Sequence, residues 1–469
     1  MAEAAHTHSR GILLPVAEVE RQRGIMDQIA ASAGGRYWVN TYGCQMNVRD
    51  SQTLAGMLEE MSYEKASKQD EADLILFNTC CVRENAERRV FGNIGHLQSL
   101  KKERPGLIVG VCGCMMQQDG SAERLLKSAP FVNLIFGTQS LYRFPELLQG
   151  ALNGERPIAI ESDPQGVIAE GLPAQREGNA RAFVNIMFGC NNFCSYCIVP
   201  YVRGRERSRA TEDILREIEA LSVQGIKEVT LLGQNVNSYA PQGGGSFPKL
   251  LKRLEGLVPR LRFMTSHPKD LSDELIEAMA GSKTVCPQLH LPVQAGSNVI
   301  LQAMNRGYTR EKYLELIQKL RAAVPDIGLS TDFIAGFPGE TEEDFAQTLN
   351  LCTQARFDSA FTFIYSRRSG TKAAEMEGQV PSKVQHERLS RLIALQEGIT
   401  AKRLRAMEGK EYELLIEDHS RRGKQDFMGR TGSGIAVNLR GGGLRPGDFV
   451  RAKMVASGAN TLRGELLSQ

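Results

Sequence analysis

Residues 189–197 read GCNNFCSYC and place Cys190, Cys194 and Cys197 within eight residues of a Gly- and Asn-bearing loop. The loop directly follows a strand-like run, FVNIM at 183–187. Three thiolates this close can wrap one metal centre, and the loop supplies the tight backbone that close sulfur ligands need. Thiolates select zinc, copper(I) or iron–sulfur clusters. A structural zinc site takes four protein ligands, and no fourth Cys or His stands nearby. Three thiolates on a cubane leave one iron without a protein ligand, open to a substrate or cofactor.

Around this loop, β-type runs at 183–187, 228–232, 262–266, 288–293, 328–334 and 359–365 alternate with amphipathic helical stretches. One stretch carries Ile214, Ile218 and Leu221 on a single helical face, with Thr211 as its expected N-cap and Glu212 in its first turn. Six βα units over roughly 200 residues predict a partial (βα)6 TIM-type barrel more than an open sheet. Contacts to a bound cofactor are then expected at strand ends facing the open top. The candidates are Gly233 and Gln234 in LLGQNVN, His290 and Gln294 in HLPVQ, and Asp332 in STDFIAGFPGE. His290 reads equally as a core-packed histidine. Gly336, Pro338 and Gly339 read as a turn after the fifth strand.

Upstream, residues 36–151 alternate strand runs (37–42, 73–78, 107–111, 133–136) with helical stretches such as 51–61 and 84–102. That pattern predicts a doubly wound parallel α/β domain. Residues 1–35 are Ala-rich and polar without sustained periodicity, and read as a mobile tail. Residues 152–180, rich in Gly, Pro and charge, read as a linker to the central domain at 181–400. A long helical stretch at 383–407 closes that domain. Residues 401–469 hold β-type runs (412–416, 435–438, 449–455) between Gly-rich turns, and predict a small antiparallel β-barrel.

The chain has 469 residues, beyond the roughly 250–300 that one core supports. With 42% hydrophobic and 24% charged residues it is globular, which excludes a disordered or fibrous chain. No apolar run reaches the roughly 18 residues of a membrane span, and no signal peptide is visible, so a cytoplasmic location is expected. Overall, 57 Lys and Arg face 54 Asp and Glu, a net +3 that names no partner. Residues 401–469, however, hold 13 Lys and Arg against 8 Asp and Glu, which points to an anionic partner there. Arg421, Arg422, Lys424 and Arg430 are candidate phosphate contacts. The run YVRGRERSR (201–209) reads either as a phosphate contact or as part of an active-site rim.

Cys44, Cys80 and Cys114 fit no local metal loop, yet each follows a predicted parallel strand: YWVNTYGC, DLILFNTC and LIVGVCGC. Parallel neighbours place their carboxyl ends along one edge, so the three thiols can converge. Cys81 and Cys112 stand close enough to serve as alternative ligands. Alternation along a strand would point Cys80 and Cys81 apart and put Cys112 and Cys114 on one face. Cys286 and Cys352 are isolated and read as packing residues.

The Cys-x3-Cys-x2-Cys motif after the first strand of a six-unit βα domain, with Tyr196 before its last cysteine, resembles the radical S-adenosylmethionine superfamily. The words TYGCQMN, NTCCVRENAE and GVCGCMMQ resemble the N-terminal domain of its methylthiotransferase family, and the likeness runs from about Arg36 through a C-terminal TRAM barrel. TYGCQMN and SHPKD are most like the branch that modifies isopentenyladenosine in tRNA. The resemblance implies a 4Fe-4S cluster on Cys190, Cys194 and Cys197 that binds S-adenosylmethionine, and a second, auxiliary 4Fe-4S cluster on Cys44, Cys80 and Cys114. It implies a radical route to a methylthio group on carbon 2 of adenine, with both clusters facing one cavity. The second-strand motif of the superfamily usually carries Glu where Gln234 stands here. The implied partners are the tRNA anticodon loop, an electron-donor protein and a sulfur source, with no membrane, and a monomer is expected. A second reading places the methylthio group on a ribosomal-protein side chain or on threonylcarbamoyladenosine in tRNA. A third makes the chain an RNA-binding iron–sulfur carrier without catalysis, against which the six βα units argue.

Overall fold

The computed structural model describes residues 12–81, 84–160, 166–176, 178, 180–419, 426–441 and 443–467. These fall into two units. One comprises residues of 1–177 with 187–191 and 197–209; the other comprises 178–186, 192–196 and 210–469.

The first unit is built on six parallel strands in the order Tyr63–Lys65, Gly35–Thr41, Leu74–Thr79, Ile108–Gly113, Leu134–Phe136, Ile158–Ala159. Leu74–Thr79 and Ile108–Gly113 are buried along their whole length, because helices cover both faces of the sheet. Val16–Ser32, Gln45–Glu60 and Phe144–Leu152 pack Ile25, Leu54, Met57 and Phe144 on one face. Glu84–Glu103 and Ser121–Ser128 pack Val90, Ile94 and Leu125 on the other. Each such side chain contributes about 1.5–3 kcal/mol by leaving water. This is the expected doubly wound domain.

Two expectations about this unit are corrected. Residues 1–35 are not a tail throughout: residues 16–32 form a 17-residue helix. Its buried stripe is Gln22, Ile25, Met26 and Ile29, a helical spacing masked in sequence by the polar first member. Burial of Gln22 is satisfied because its amide donates to Glu18 (2.9 Å) and Glu146 (3.2 Å). The presumed linker also carries structure. Ile158–Ala159 closes the sheet, and Val167–Ile168 pairs in parallel with Ile12–Leu13.

The second unit carries six parallel strands: Arg181–Asn185, Glu228–Leu232, Arg260–Phe263, Gln288–His290, Gly328–Ala335 and Ser359–Ile364. They form two ladders of three, joined through Leu261 and Val285. The first and sixth strands are not paired among the described residues, so the barrel is partial. The third strand begins two residues earlier than expected. Thr211 is the first residue of its helix, not the cap; Ala210 holds the cap position, and the Thr211 hydroxyl lies 3.0 Å from that of Tyr239.

After helix Ser382–Arg405, five strands close a barrel in the order Glu411–His419, Asp426–Thr431, Ala436–Arg440, Leu462–Leu466, Phe449–Ser457. It is not wholly antiparallel: Ala436–Arg440 and Leu462–Leu466 run parallel. Two buried arginines dock this barrel onto the central strands. Arg260 donates to the carbonyls of Arg430 (2.8 Å) and Glu413 (3.1 Å), and Arg262 to those of Thr431 (2.9 Å) and Gly432 (2.8 Å). Arg430 therefore lies at an internal joint. Its guanidinium is held by Glu417 at 2.6 and 3.0 Å, which corrects its reading as a phosphate contact. Arg421, Arg422 and Lys424 lie outside the described residues.

Candidate functional site

In the first unit, Cys44, Cys80 and Cys114 follow three neighbouring strands of the sheet. Thr41 pairs with Asn78, and Thr79 with Gly113, so the chain leaves the sheet at one edge in all three places. Asn47, wholly buried one turn into helix Gln45–Glu60, ties these ends together. Its amide group donates to the carbonyls of Tyr42 (2.9 Å) and Thr79 (2.8 Å). Its Oδ1 lies 3.8 Å from both Cys44 Sγ and Cys114 Sγ. Cys80 is buried against Gly43, whose φ is +112°; a Cβ there would stand 2.7 Å from Cys80 Sγ. The backbone at Gly43 thus leaves room for the Cys80 side chain.

Arg203 enters the same group. Its Nε donates to Cys114 Sγ at 3.3 Å, while Nη2 reaches Asn47 Oδ1 at 3.0 Å and Asp50 Oδ2 at 2.8 Å. A hydrogen bond from Cys81 and the Arg203 cation overcome burial to bring the Cys114 thiol down to about 6. Cys81 moves well upward in turn. The strand ends at Thr79, so alternation does not govern residues 80 and 81, and Cys81 packs beside Cys114 with Ile198 and Val202. Nor do Cys112 and Cys114 share surroundings. Gly113 turns the chain at φ +95°, leaving Cys112 in the core with its thiol pushed well up by burial.

The run 201–209 is internal rather than phosphate-facing at three of its arginines. Besides Arg203, Arg207 donates to the carbonyls of Val167 (3.2 Å) and Arg203 (2.8 Å), and Arg209 pairs with Glu170 at 2.6 Å.

Of the second triad, Cys190 and Cys197 are half-buried and Cys194 is buried. The Cys190 N–H donates to the carbonyl of Gly204 at 3.1 Å within the first unit. In the second unit, Asn192–Tyr196 is pinned by residues just after helix Asn298–Ala303 and by the turn Pro268–Asp270. Ser195 N–H donates to Met304 O (3.0 Å), and Asn305 Nδ2 donates to the carbonyls of Asn192 (3.1 Å) and Phe193 (3.0 Å). Lys269 of SHPKD reaches Asn192 Oδ1 at 2.5 Å. Arg306 donates to Cys194 Sγ and to the Tyr196 hydroxyl, each at 3.3 Å. Phe193, Thr265, Gln294 and Asn305 all hold positive φ (45–72°), a costly conformation that concentrates where a site demands fixed geometry.

Of the other expected contacts, His290 ends its strand, Gly233, Gln234 and Gln294 follow theirs, and Asp332 lies inside strand Gly328–Ala335. His290 Nδ1 lies 2.9 Å from Ser330 Oγ, and its Nε2 lies 3.4 Å from Asp332 Oδ1. Its ring also packs edge-on to Phe361, as expected of a core-packed histidine. Gln294 is buried, and its N–H donates to the carbonyl of Asp332 at 2.9 Å. Gly233 is buried and Gln234 half-buried; their neighbour Asn235 binds His267 N–H (3.1 Å) and Asp270 (2.7 Å). Sequence reasoning missed Asn47, Asp50, His267 and Arg306 as members of these groups, and reached Arg203 only through the run 201–209, read as a phosphate contact or an active-site rim. Gly336 and Gly339 have φ of +71° and +80°, the turn expected of them. A cavity of about 540 Å³ lies at the opposite, N-terminal ends of the central strands, between Arg260, Cys286, Gly328, Met407 and Tyr412.

Among the described residues no three Cys, His, Asp or Glu side chains crowd a single-ion site. The first triad is a set of thiols brought from separate strand ends, one with its ionised form favoured. That donor set fits an iron–sulfur cluster rather than a hard cation.

A partial six-stranded βα barrel with Cys-x3-Cys-x2-Cys after its first strand defines a radical S-adenosylmethionine enzyme, and three known families match accordingly. The Radical SAM superfamily matches residues 184–352, the uncharacterized protein family UPF0004 residues 36–137, and the TRAM domain residues 405–467. The tRNA-2-methylthio-N(6)-dimethylallyladenosine synthase of Caldicellulosiruptor saccharolyticus is 52% identical over 435 residues, 92% of each chain. That of Thermoanaerobacter sp. is 50% identical over 458 residues, 96% of this chain and 97% of the relative. This chain belongs to that synthase family, whose members work with S-adenosylmethionine and two 4Fe-4S clusters. Among solved structures, the radical S-adenosylmethionine methyltransferase TsrM from Kitasatospora setae matches with a TM-score of 0.54 at 15% identity. The match covers 72% of this chain and 73% of that one, a likeness of fold alone.

Proposed function

We propose that this chain converts N(6)-dimethylallyladenosine beside the anticodon of tRNA to its 2-methylthio derivative. Identity of about 50% over 92–96% of the chain to synthases of that name carries the reading. The gathering of Cys44 and Cys114 about Asn47, with Cys80 at the adjacent strand end, supports an auxiliary site in addition to the Cys190, Cys194, Cys197 motif.

The hydrogen on carbon 2 of adenine is not acidic, so no side chain can remove it as a proton at neutral pH. When bound, the two clusters and S-adenosylmethionine supply the one-electron chemistry, the sulfur site and the methyl group. The protein's part is to hold these groups in place. Asn47 and Arg203 fix the Cys44 and Cys114 ends of the first triad. Arg306, Lys269 and Asn305 fix the second cysteine loop. Tyr196 in the cysteine loop, Gly233, Gln234, His290 and Gln294 at or after strand ends, and Asp332 within the fifth strand are the contacts for S-adenosylmethionine; the His290–Asp332 pair offers a carboxylate acceptor to its amino group. The small barrel, with its excess of cations, holds RNA phosphates, and the target base is read unstacked from the anticodon loop. An electron-donor protein and a sulfur source complete turnover, and the enzyme works as a cytoplasmic monomer.

The test is anaerobic reconstitution of the wild type and two triple-alanine variants, one at Cys44, Cys80 and Cys114, the other at Cys190, Cys194 and Cys197. About eight irons in the wild type and about four in each variant are expected. S-adenosylmethionine cleavage survives only with the second triad intact, and methylthiolated nucleoside in tRNA digests appears only with both. Full iron in the first variant would falsify the auxiliary assignment.

A further inference from the structure

Each cysteine triad has one sulfur under a buried arginine. Arg203 is 5% exposed and Arg306 is 4% exposed. Arg203 Nε lies 3.3 Å from Cys114 Sγ, and Arg306 Nη1 lies 3.3 Å from Cys194 Sγ. Elsewhere the two arginines differ. Arg203 also meets a carboxylate, Asp50, at 2.8 Å in a salt bridge with side chains only 6% and 13% exposed. The other partners of Arg306 are neutral: the hydroxyls of Tyr196 (3.3 Å) and Tyr308 (3.0 Å), the Tyr308 ring (5.4 Å), and the carbonyl of Pro292 (2.7 Å). Among the described residues no carboxylate pairs with Arg306.

A cluster gains one negative charge on reduction. A cation or hydrogen-bond donor on its sulfur favours the reduced form and raises the potential. A carboxylate on that same cation cancels most of its field, and the low local dielectric leaves an uncancelled one strong. We propose that Arg203 and Arg306 are positioning residues that set the reduction potentials of the two clusters, Arg306 raising its own strongly and Arg203 only weakly because Asp50 neutralises it. This rests on the assignment of the two triads as cluster ligands.

The test uses the full chain, reconstituted anaerobically, with one triad replaced by alanine so that a single cluster is read. The Cys44/Cys80/Cys114 triple variant carries Arg306→Gln or Arg306→Lys. The Cys190/Cys194/Cys197 triple variant carries Arg203→Gln, Arg203→Lys or Asp50→Asn. Iron is counted, and midpoints are measured by paramagnetic resonance at poised potentials. Arg306→Gln is expected to lower the reduced-to-oxidised ratio at fixed potential at least tenfold, about 59 mV for one electron. Arg306→Lys recovers part of that shift, and Arg203→Gln shifts its cluster less. Asp50→Asn moves the midpoint the other way, upward, because it frees the Arg203 charge; a merely structural role gives no such sign reversal. About four irons with unmoved midpoints in Arg306→Gln and Asp50→Asn overturn the inference and leave the triads standing. If the parent triple variants bind no reducible cluster, the triad assignment itself fails, and the inference with it. Should the glutamine variants not fold, the lysine and Asp50→Asn variants decide alone.

Discussion

Position 43 tolerates a hydrogen and little else, since a Cβ there would stand 2.5 Å from Cys80 Cβ at a φ of +112°. Gly43→Ala should therefore displace Cys80, and iron should fall from about eight to about four per chain on reconstitution while S-adenosylmethionine cleavage persists. Cys112→Ala, buried in the core, should leave the iron count unchanged. His267 gives a pH signature. Burial, then the Arg306 and Lys269 charges, depress its pKa from 6.5 to about 2, so the folded chain keeps it neutral where the unfolded chain protonates it. Stability is thus fully present above pH 6.5 and is lost as pH falls toward 2. Between pH 7 and pH 5 this amounts to about 2 kcal/mol, and denaturation of His267→Asn at the two pH values should lack that difference. The cysteines were legible as candidates, Cys190, Cys194 and Cys197 by their tight spacing and Cys44, Cys80 and Cys114 by their place after strands, with Cys81 and Cys112 left open beside them. The contact between Asn47 and Arg203 was not legible: they meet each other across 156 residues, and neither belongs to a local pattern that announces a long-range hydrogen bond.

The helical elements legible in the sequence are those whose apolar residues recur without interruption, such as the one holding Ile214, Ile218 and Leu221. Helix Val16–Ser32 escaped because Gln22 opens its buried stripe and Pro15 precedes it without a side-chain cap. Strand Asp426–Thr431 escaped because its buried positions are Phe427, Gly429 and Thr431, only one of them large and apolar. The joint made by strand Arg260–Phe263 carries a sharper test. Arg262 pairs with Glu228 at 2.8 Å, the side chains 8% and 3% exposed. Arg262→Ala strands that carboxylate and frees two barrel carbonyls, so a loss of about 3–5 kcal/mol is expected by denaturant unfolding. The double variant with Glu228→Gln should recover part of it, which separates the buried charge from the lost packing.

For the whole molecule, alternation marked out two βα domains and favoured a barrel for the second without deciding it against an open sheet, whereas charge had to be read by region. A net +3 over the chain hides the excess over residues 401–469. Arg445, Lys453 and Arg463 are exposed there, unlike Arg430. Replacing all three by alanine should flatten the dependence of tRNA binding on log salt by about 2 to 3 in slope, measured by filter binding between 50 and 200 mM salt. The same barrel has an order of assembly built into it. Leu462–Leu466 lies between Ala436–Arg440 and Phe449–Ser457, so the last of its strands in the chain fills a gap between two earlier ones. A chain halted short of Leu466 has not merely a weaker grip on RNA. It leaves Ala436–Arg440 with an unsatisfied backbone edge and uncovers Val437, Leu439 and Met454, the features that invite aggregation and proteolytic clearance. Loss of these few residues should therefore be seen first as a fall in the amount of enzyme a cell retains, before any change in what each surviving molecule does.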